Sequence, residues 1–374
     1  MNDTDIRLDT IRGSADPKKH DARTIAALTS NPGCSRRGVL DAAAVNKQEL
    51  AEHIGYPPQF GQSPFDITRG IAFEQFVKAN SCAELLRLLR EKLSLPIPQV
   101  SYHDLAVAAG HETSQTRHRY TRQLLARAAR SDPDSGTLFD HPLLRLNIAG
   151  HDAYLEPDLV AFKLGDRFHV VEIKSFSIID GRADPGKVAF AATQAAVYVL
   201  ALRQLLQELG LKPGLVSDAI FLVCPTDFSN QPTSARIDIR KQVAVLRRQL
   251  SRLAQIGPLL SLLPPELTLD LRRDDHGIAT RPVDELIDAL EQVDARYAPE
   301  CLTTCEMALY CRAQAHHSTE RLGRSVREDL GGIEMLDAAL ALAQGRAPGE
   351  HEYEAAHLLR LADRMRADCL KGVA

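Results

Sequence analysis

Tyr154-Leu-Glu-Pro-Asp-Leu-Val-Ala-Phe162 and Arg167-Phe-His-Val-Val-Glu-Ile-Lys-Ser-Phe176 are the two stretches whose reading decides the fold. The second is rich in β-branched and aromatic residues, and Gly165-Asp166 between them is a hairpin turn signal. Strand side chains alternate faces, so Glu172 and Lys174 project from one side while Ile173 points into the core. Asp158 lies on the neighbouring strand. An acid and an amine two apart on one face, with a second acid beside them, can hold a hard divalent cation and a phosphate together. A surface hairpin with a cross-strand salt bridge is the plainer alternative. Behind the strands a helix is expected from about 187 to 209, with Gln194 and Tyr198 at i and i+4 on one face.

The chain has 7 cysteines in 374 residues. The count is odd, the N-terminus has no apolar leader, and no apolar run reaches membrane-spanning length. These features predict a reducing cytoplasm, no membrane and no disulfides. Cys301, Cys305 and Cys311 cluster, and thiolates this close usually share a metal or an iron–sulfur cluster. Three ligands leave one vacancy, and Cys34 is the candidate for it. Zinc also suits four thiolates. Cys82 and Cys224 read as core residues, and Cys369 as a tail residue.

A hydrophobic share of 44% is ample for a core, and the formal net charge of −4 argues against a generally basic coat. A nucleic acid must then be met by local patches. Arg117, Arg119, Arg122, Arg127 and Arg130 crowd one segment. Arg240, Lys241, Arg247, Arg248 and Arg252 recur at spacings that put most of them on one helix face, although a solvated face reads the same way. Tryptophan is absent and aromatics are 5%, so extensive base stacking is not indicated. Gly181-Arg-Ala-Asp-Pro-Gly-Lys187 fits a phosphate-binding loop in outline, but Val188 stands where a Ser or Thr should hold Mg²⁺.

The order and spacing of Pro157-Asp158, Glu172-Ile-Lys174 and Gln194-Ala-Ala-Val-Tyr198 resemble the PD-(D/E)XK nuclease superfamily, in its RecB-like branch. The lone Cys34 before the core and the triplet after it resemble the iron–sulfur members of that branch, among them AddB-type nuclease domains and CRISPR-adaptation nucleases. The usual first gap in the triplet is two residues, and here it is three. The resemblance implies an α/β fold: a restriction-endonuclease-like core, a small mixed sheet flanked by helices, with a helical iron–sulfur cap. It implies a DNA nuclease, an exonuclease, dependent on Mg²⁺ or Mn²⁺ and serving repair, recombination or antiviral defence. Asp158, Glu172 and the Ile173 carbonyl would hold the metal, and Lys174 would act on the water or the developing charge. Gln194 and Tyr198 would face the DNA, with Arg240, Lys241, Arg247 and Arg248 as further DNA contacts. Glu74, in Arg69-Gly-Ile-Ala-Phe-Glu74, matches a further metal-binding acid, preceded by Phe73 where many relatives have histidine. A 4Fe–4S cluster on Cys34, Cys301, Cys305 and Cys311 would tie the N-terminal segment to the C-terminal one. Helicase signatures are absent, so a helicase or another defence or repair protein is the expected partner. The rival is a catalytically weak DNA-end-binding or assembly module that retains the cluster.

The organisation expected is a loose segment at 1–25, a helical region at 26–135, the nuclease core at 136–230 and a second helical region at 231–374. Strands are expected near 142–149, 153–162, 167–176 and 217–224.

Overall fold

The computed structural model describes residues 3–61, 63–93, 100–106, 113–130, 136–162, 167–227 and 229–371. In chain order these form α1 (Asp3–Arg12), α2 (Ala22–Ala27), α3 (Ser35–Ala42), α4 (Lys47–His53), α5 (Pro64–Leu93), β1 (Val100–Asp104), α6 (Ser114–Arg130), β2 (Gly136–Asp140), β3 (Leu144–Ile148), β4 (His151–Leu155), β5 (Leu159–Phe162), β6 (His169–Ile173), α7 (Pro185–Glu208), β7 (Ala219–Pro225), β8 (Pro232–Asp238), α8 (Arg240–Ala254), α9 (Gly257–Leu260), α10 (Val283–Glu291), α11 (Ala308–Gln314), α12 (Arg324–Asp329), α13 (Leu336–Ala343) and α14 (Tyr353–Lys371). They divide into two interleaved units. One holds residues 19–29 and 61–255, the other 1–18, 30–60 and 256–374.

The first unit is a mixed α/β layer structure. Its sheet runs β1-β2-β5-β6-β7-β8. The pairs β1/β2 and β6/β7 are parallel, and the other neighbours are antiparallel. Each parallel pair needs a long crossover, supplied by α6 and by α7. On one face, Phe73 and Val77 of α5 pack with Leu138, Leu159, Val171, Ile173, Phe221 and Val223. Alternation turns Glu172 to the other face, where α7 packs. α7 starts where Asp184 accepts from the Lys187 amide and Pro185 opens the first turn. Among the described residues it is the one helix long and apolar enough to cross a membrane, and most of it is buried inside the protein.

β3 and β4 form a separate hairpin through Ala149 and Gly150, both at positive φ. The run expected as one strand over 153–162 therefore breaks at Glu156-Pro157-Asp158, and only β5 joins the large sheet. Pro157 has no N–H to give a ladder. The Gly165-Asp166 turn lies outside the described residues, although β5 and β6 pair antiparallel on either side of it. β1, β2 and β8 were not expected. β1 and β8 are polar edge strands, which carry little alternation signal. α5 leaves helical geometry at Ala79–Cys82, where Asn80, Ser81 and Cys82 all have positive φ.

The second unit is helical. Its N-terminal residues are not loose, because α1 buries Leu8 and Ile11. The amide of Leu269 donates to the Ile11 carbonyl at 2.7 Å, and Ser14 bonds the Asp270 carboxylate. These contacts are non-local and leave little periodicity to read. Near the C-terminus, α13 and α14 share a small core of Leu330, Ile333, Leu342 and Ala356.

Phe73 is 2% exposed and sits in the core against the sheet. Phe73→Ala should destabilise the sheet unit by about 3–5 kcal/mol in urea denaturation followed by circular dichroism. Phe73→His should also destabilise it, because the imidazole would be buried among apolar side chains. Wild-type stability in either variant would show that position 73 does not face the core.

Candidate metal centre

Glu172 occupies the middle of β6, between β5 and β7, with 0% exposure. Lys174, two residues on, places its ammonium 2.5 Å from Glu172 Oε1. Glu172 Oε2 is buried and has no hydrogen-bond partner among the described residues. Asp158 is half-buried just before β5, and its Oδ2 accepts the Ile173 amide at 2.7 Å. Burial first, and then the charge of Asp158, pushes the Glu172 carboxyl up to about 8. Asp158 is also raised, chiefly by burial. Burial opposes the charge on Lys174, but Glu172 and Asp158 outweigh it and raise its pKa.

α7 brings Tyr198 and Gln194 to the same place. The Gln194 side chain hydrogen-bonds Tyr198, and the carboxylates of Glu172 and Asp158 act on the buried phenol. Burial, helped by those charges, raises Tyr198 well above the usual phenol range. From the other side, the charge of Glu74 is felt by Asp158, Glu172 and Lys174. The expected acids, amine, glutamine and tyrosine thus share one neighbourhood.

A second layer of charge, not expected from the sequence, lies beside these groups. Lys78 bridges Glu74 Oε1 at 2.5 Å and Asp140 Oδ1 at 2.6 Å. His141 reaches Asp140 Oδ1 at 2.9 Å and Glu74 Oε1 at 3.2 Å. The Tyr102 hydroxyl donates to Asp140 Oδ2 at 2.5 Å. Burial opposes the charge on Glu74 and Asp140, but His141 and Lys78 outweigh it and hold both carboxyls down at about 2. Hydrogen bonds to Asp140 and Glu74 push the His141 imidazolium up to about 10. A cleft of about 450 Å³ opens here, lined by Ile71, Glu74, Gln75, Lys78, Asp140 and His141.

Among the described residues, Asp104, Asp140 and His141 are the group whose ligand atoms all fall within 4.8 Å of one another. Lys78 already provides a cation there. Glu172 is the better fit for a metal, because its buried carboxylate has an unbonded oxygen and a lone ammonium beside it.

The cysteines lie in the helical unit. Cys34 precedes α3, Cys301 lies within a short 3-10 turn at Pro299–Thr303, Cys305 follows that turn, and Cys311 is on α11. Cys311 feels the charges of Cys305 and Cys34, and Arg37 those of Cys305 and Cys301. No three of these sulfurs lie within 4.8 Å of one another. Asn31 Nδ2 donates to Cys301 Sγ at 3.2 Å, and Arg36 Nη1 to Cys311 Sγ at 3.5 Å. Arg36 is buried, and its other partners are the Val293 carbonyl and the Gln314 amide oxygen. Arg37 is buried too, and its Nη1 has no partner among the described residues. Lys47 pairs with Asp41 and Glu306. Burial pushes Cys305 up to about 11 and Cys311 up to about 12, against the pull of these cations. Cys82 and Cys224 are buried in the other unit, and Cys369 is exposed.

Lys241, Arg247 and Arg248 are exposed on α8, and Arg240 pairs with Asp238 at 2.6 Å. On α6, Arg117 pairs with Glu156 at 2.8 Å, while Arg119, Arg127 and Arg130 are exposed. In the loop that resembles a phosphate-binding motif, Asp184 already takes the Lys187 amide at 2.8 Å.

A scan against protein-family models found no match, and a search of curated proteins found none. Two solved structures show partial likeness. The crystal structure of SSO0001 is 14% identical with a TM-score of 0.20, over 59% of this chain and 85% of that one. A "putative exonuclease" from Eubacterium rectale is 13% identical with a TM-score of 0.32, over 85% and 94%. Likeness at this level carries no weight for fold or chemistry.

The raised Glu172 carboxyl sets a pH dependence. The folded chain keeps a proton that the unfolded chain releases near pH 4.5, so this stability is present below that pH and is lost as pH rises through about 8. His141, raised to about 10, adds a loss of the same sign at higher pH. In EDTA, Tm should therefore fall between about pH 6 and 9, and less steeply in Glu172→Gln. A bound divalent cation favours the ionised carboxylate, so the Tm gain from Mg²⁺ or Mn²⁺ should grow with pH. An equal gain at both pH values would remove Glu172 from the metal site.

Proposed function

We propose that the sheet unit is a divalent-metal-dependent DNA nuclease. The observation that carries this is the fully buried Glu172 carboxylate, with one oxygen unbonded and Lys174 beside the other. A buried carboxylate with one oxygen unbonded is costly, and a cation bound there relieves the cost. Asp158 and Glu74 supply the further oxygens, and the set is one that Mg²⁺ or Mn²⁺ accepts. When bound, such an ion activates a water and neutralises phosphoryl oxygens. Lys174 orients that water or steadies the charge that develops on the phosphate. The Ile173 amide fixes the Asp158 carboxylate, and the Ile173 carbonyl is proposed as a further ligand. Gln194 and Tyr198 close the α7 side of the site. Exposed arginines and Lys241 on α6 and α8 supply phosphate contacts.

In the helical unit we assign Cys34, Cys301, Cys305 and Cys311 to a 4Fe–4S cluster. Arg36 has no carboxylate among its bonded partners, and Arg37 keeps Nη1 unbonded beyond its pair with Asp41, so an anionic centre near the sulfurs fits. Zinc also suits four thiolates, and metal analysis separates the two. The competing reading is a catalytically weak DNA-end-binding or assembly module that retains the cluster; Phe73 in the usual histidine position favours it, but the burial of Phe73 accounts for that residue by packing.

Asp158→Ala, Glu172→Ala and Lys174→Ala should each abolish cleavage of end-labelled DNA while the fold persists. Chelation should do the same, and Mg²⁺ or Mn²⁺ should restore it. DNA binding by these variants should persist and weaken with salt. Undiminished metal-dependent cleavage by Glu172→Ala would overturn the assignment. Wild type that binds DNA ends and never cleaves them would hand the chain to the module reading.

Protein purified anaerobically should be brown and carry about four irons per chain. Cys305→Ser or Cys34→Ser should bleach it, and Cys82→Ser should not. Stoichiometric zinc without iron would refute the cluster.

A further inference from the structure

The first half of α5 exposes more apolar surface than is needed to hold one carboxylate over the sheet. Phe73 and Val77 form its buried face, yet Ile67 is 46%, Ile71 52% and Phe76 50% exposed. Ile67, Ile71, Glu74, Gln75 and Lys78 follow at i, i+4, i+7, i+8 and i+11, which is one stripe along the helix. Ile71 lines the same cleft as Glu74, Gln75, Lys78, Asp140 and His141. The stripe therefore begins apolar and ends in the charged layer, with Ile71, among the described residues, the single large apolar side chain in a lining otherwise polar or charged.

We propose that Ile67 and Ile71 are the seat for an unpaired nucleobase at the nucleotide whose phosphate is cut. This rests on the nuclease reading above. The helical rise places Ile71 roughly 4.5 Å and Ile67 roughly 10 Å from Glu74 along the axis, within reach of a base whose phosphate lies at the acids. A base removed from its stack needs a new partner for its flat faces, and isoleucine is among the apolar side chains that serve as such wedges. In a duplex those faces are covered by the neighbouring pairs, so the seat selects unpaired ends. Aliphatic packing presents no donor–acceptor pattern, so the seat is indifferent to base identity.

The test compares the double variant Ile67→Asn/Ile71→Asn with Phe76→Asn, on the far side of the same helix. One arm measures binding in EDTA of single-stranded oligonucleotides with 2-aminopurine at each of the last three positions. This base brightens when it leaves its neighbour, and an aliphatic contact does not quench it. The other arm measures Mg²⁺-dependent cleavage of single-stranded and blunt duplex DNA of the same sequence. Wild type and Phe76→Asn should brighten the probe, and the double variant should not. For single strands the double variant should raise KM about tenfold with little change in kcat, and duplex rates should not move. Retained brightening with unchanged kcat/KM would overturn the seat while leaving the nuclease intact. Brightening by wild type that the double variant loses, with no cleavage by wild type, would instead retain the seat and discard the nuclease. An equal loss in Phe76→Asn, or self-association of wild type abolished by the double variant, would assign the face to packing or to a second copy and also overturn it.

Discussion

A carboxylate with no exposed surface stands in the middle strand of the sheet, and the neighbouring elements are arranged around that constraint. β6 is covered on both faces, by α5 against Val171 and Ile173 and by α7 against Glu172. Such a strand is ordinarily apolar throughout. The exception is tolerated because Lys174 lies on the same face two residues on, and because the Ile173 amide pins Asp158 just before the neighbouring strand. One peptide unit thus joins the two acids, since the backbone between Glu172 and Lys174 is also the donor that orients Asp158. Neither acid can move without disturbing the ladder.

The sheet unit sorts its clustered carboxylates into two kinds. Glu74 and Asp140 are saturated by Lys78, His141 and Tyr102, and stay ionised well below neutral pH. Glu172 and Asp158 have fewer partners than their burial demands, and are driven toward protonation. Environment alone makes this division, as all four are ordinary carboxyls. The first pair is held by neighbouring cations, and the second has Lys174 beside it.

Much of this centre was legible because its members sit at short, regular separations. Glu172 and Lys174 follow strand alternation, and Gln194 and Tyr198 follow a helical repeat. Asp140, His141, Tyr102 and Lys78 were not legible, because they meet only through the parallel pairing of β1 with β2 and the packing of α5 across it. No local period encodes that meeting. Phe73 read as a departure within a motif, whereas its position faces the sheet and takes its identity from packing. The cysteine triplet was visible by spacing. The buried cations around it were not, since arginine and lysine are read as surface residues unless tertiary structure says otherwise.

The interleaving of the two units sets an order of assembly on the ribosome. Residues 61–255 complete the sheet unit before the chain that finishes the helical unit has been made. From Cys34 to Cys305 synthesis adds roughly 270 residues, which takes about 15 to 55 s at about 5–20 residues per second. For that interval Cys34, with the buried-to-be Arg36 and Arg37, waits as an unfinished half-site while a folded domain forms downstream of it. The chain thus emerges with its sheet unit completed first, and Cys34 can meet its distant cysteines only after residue 311 has been made.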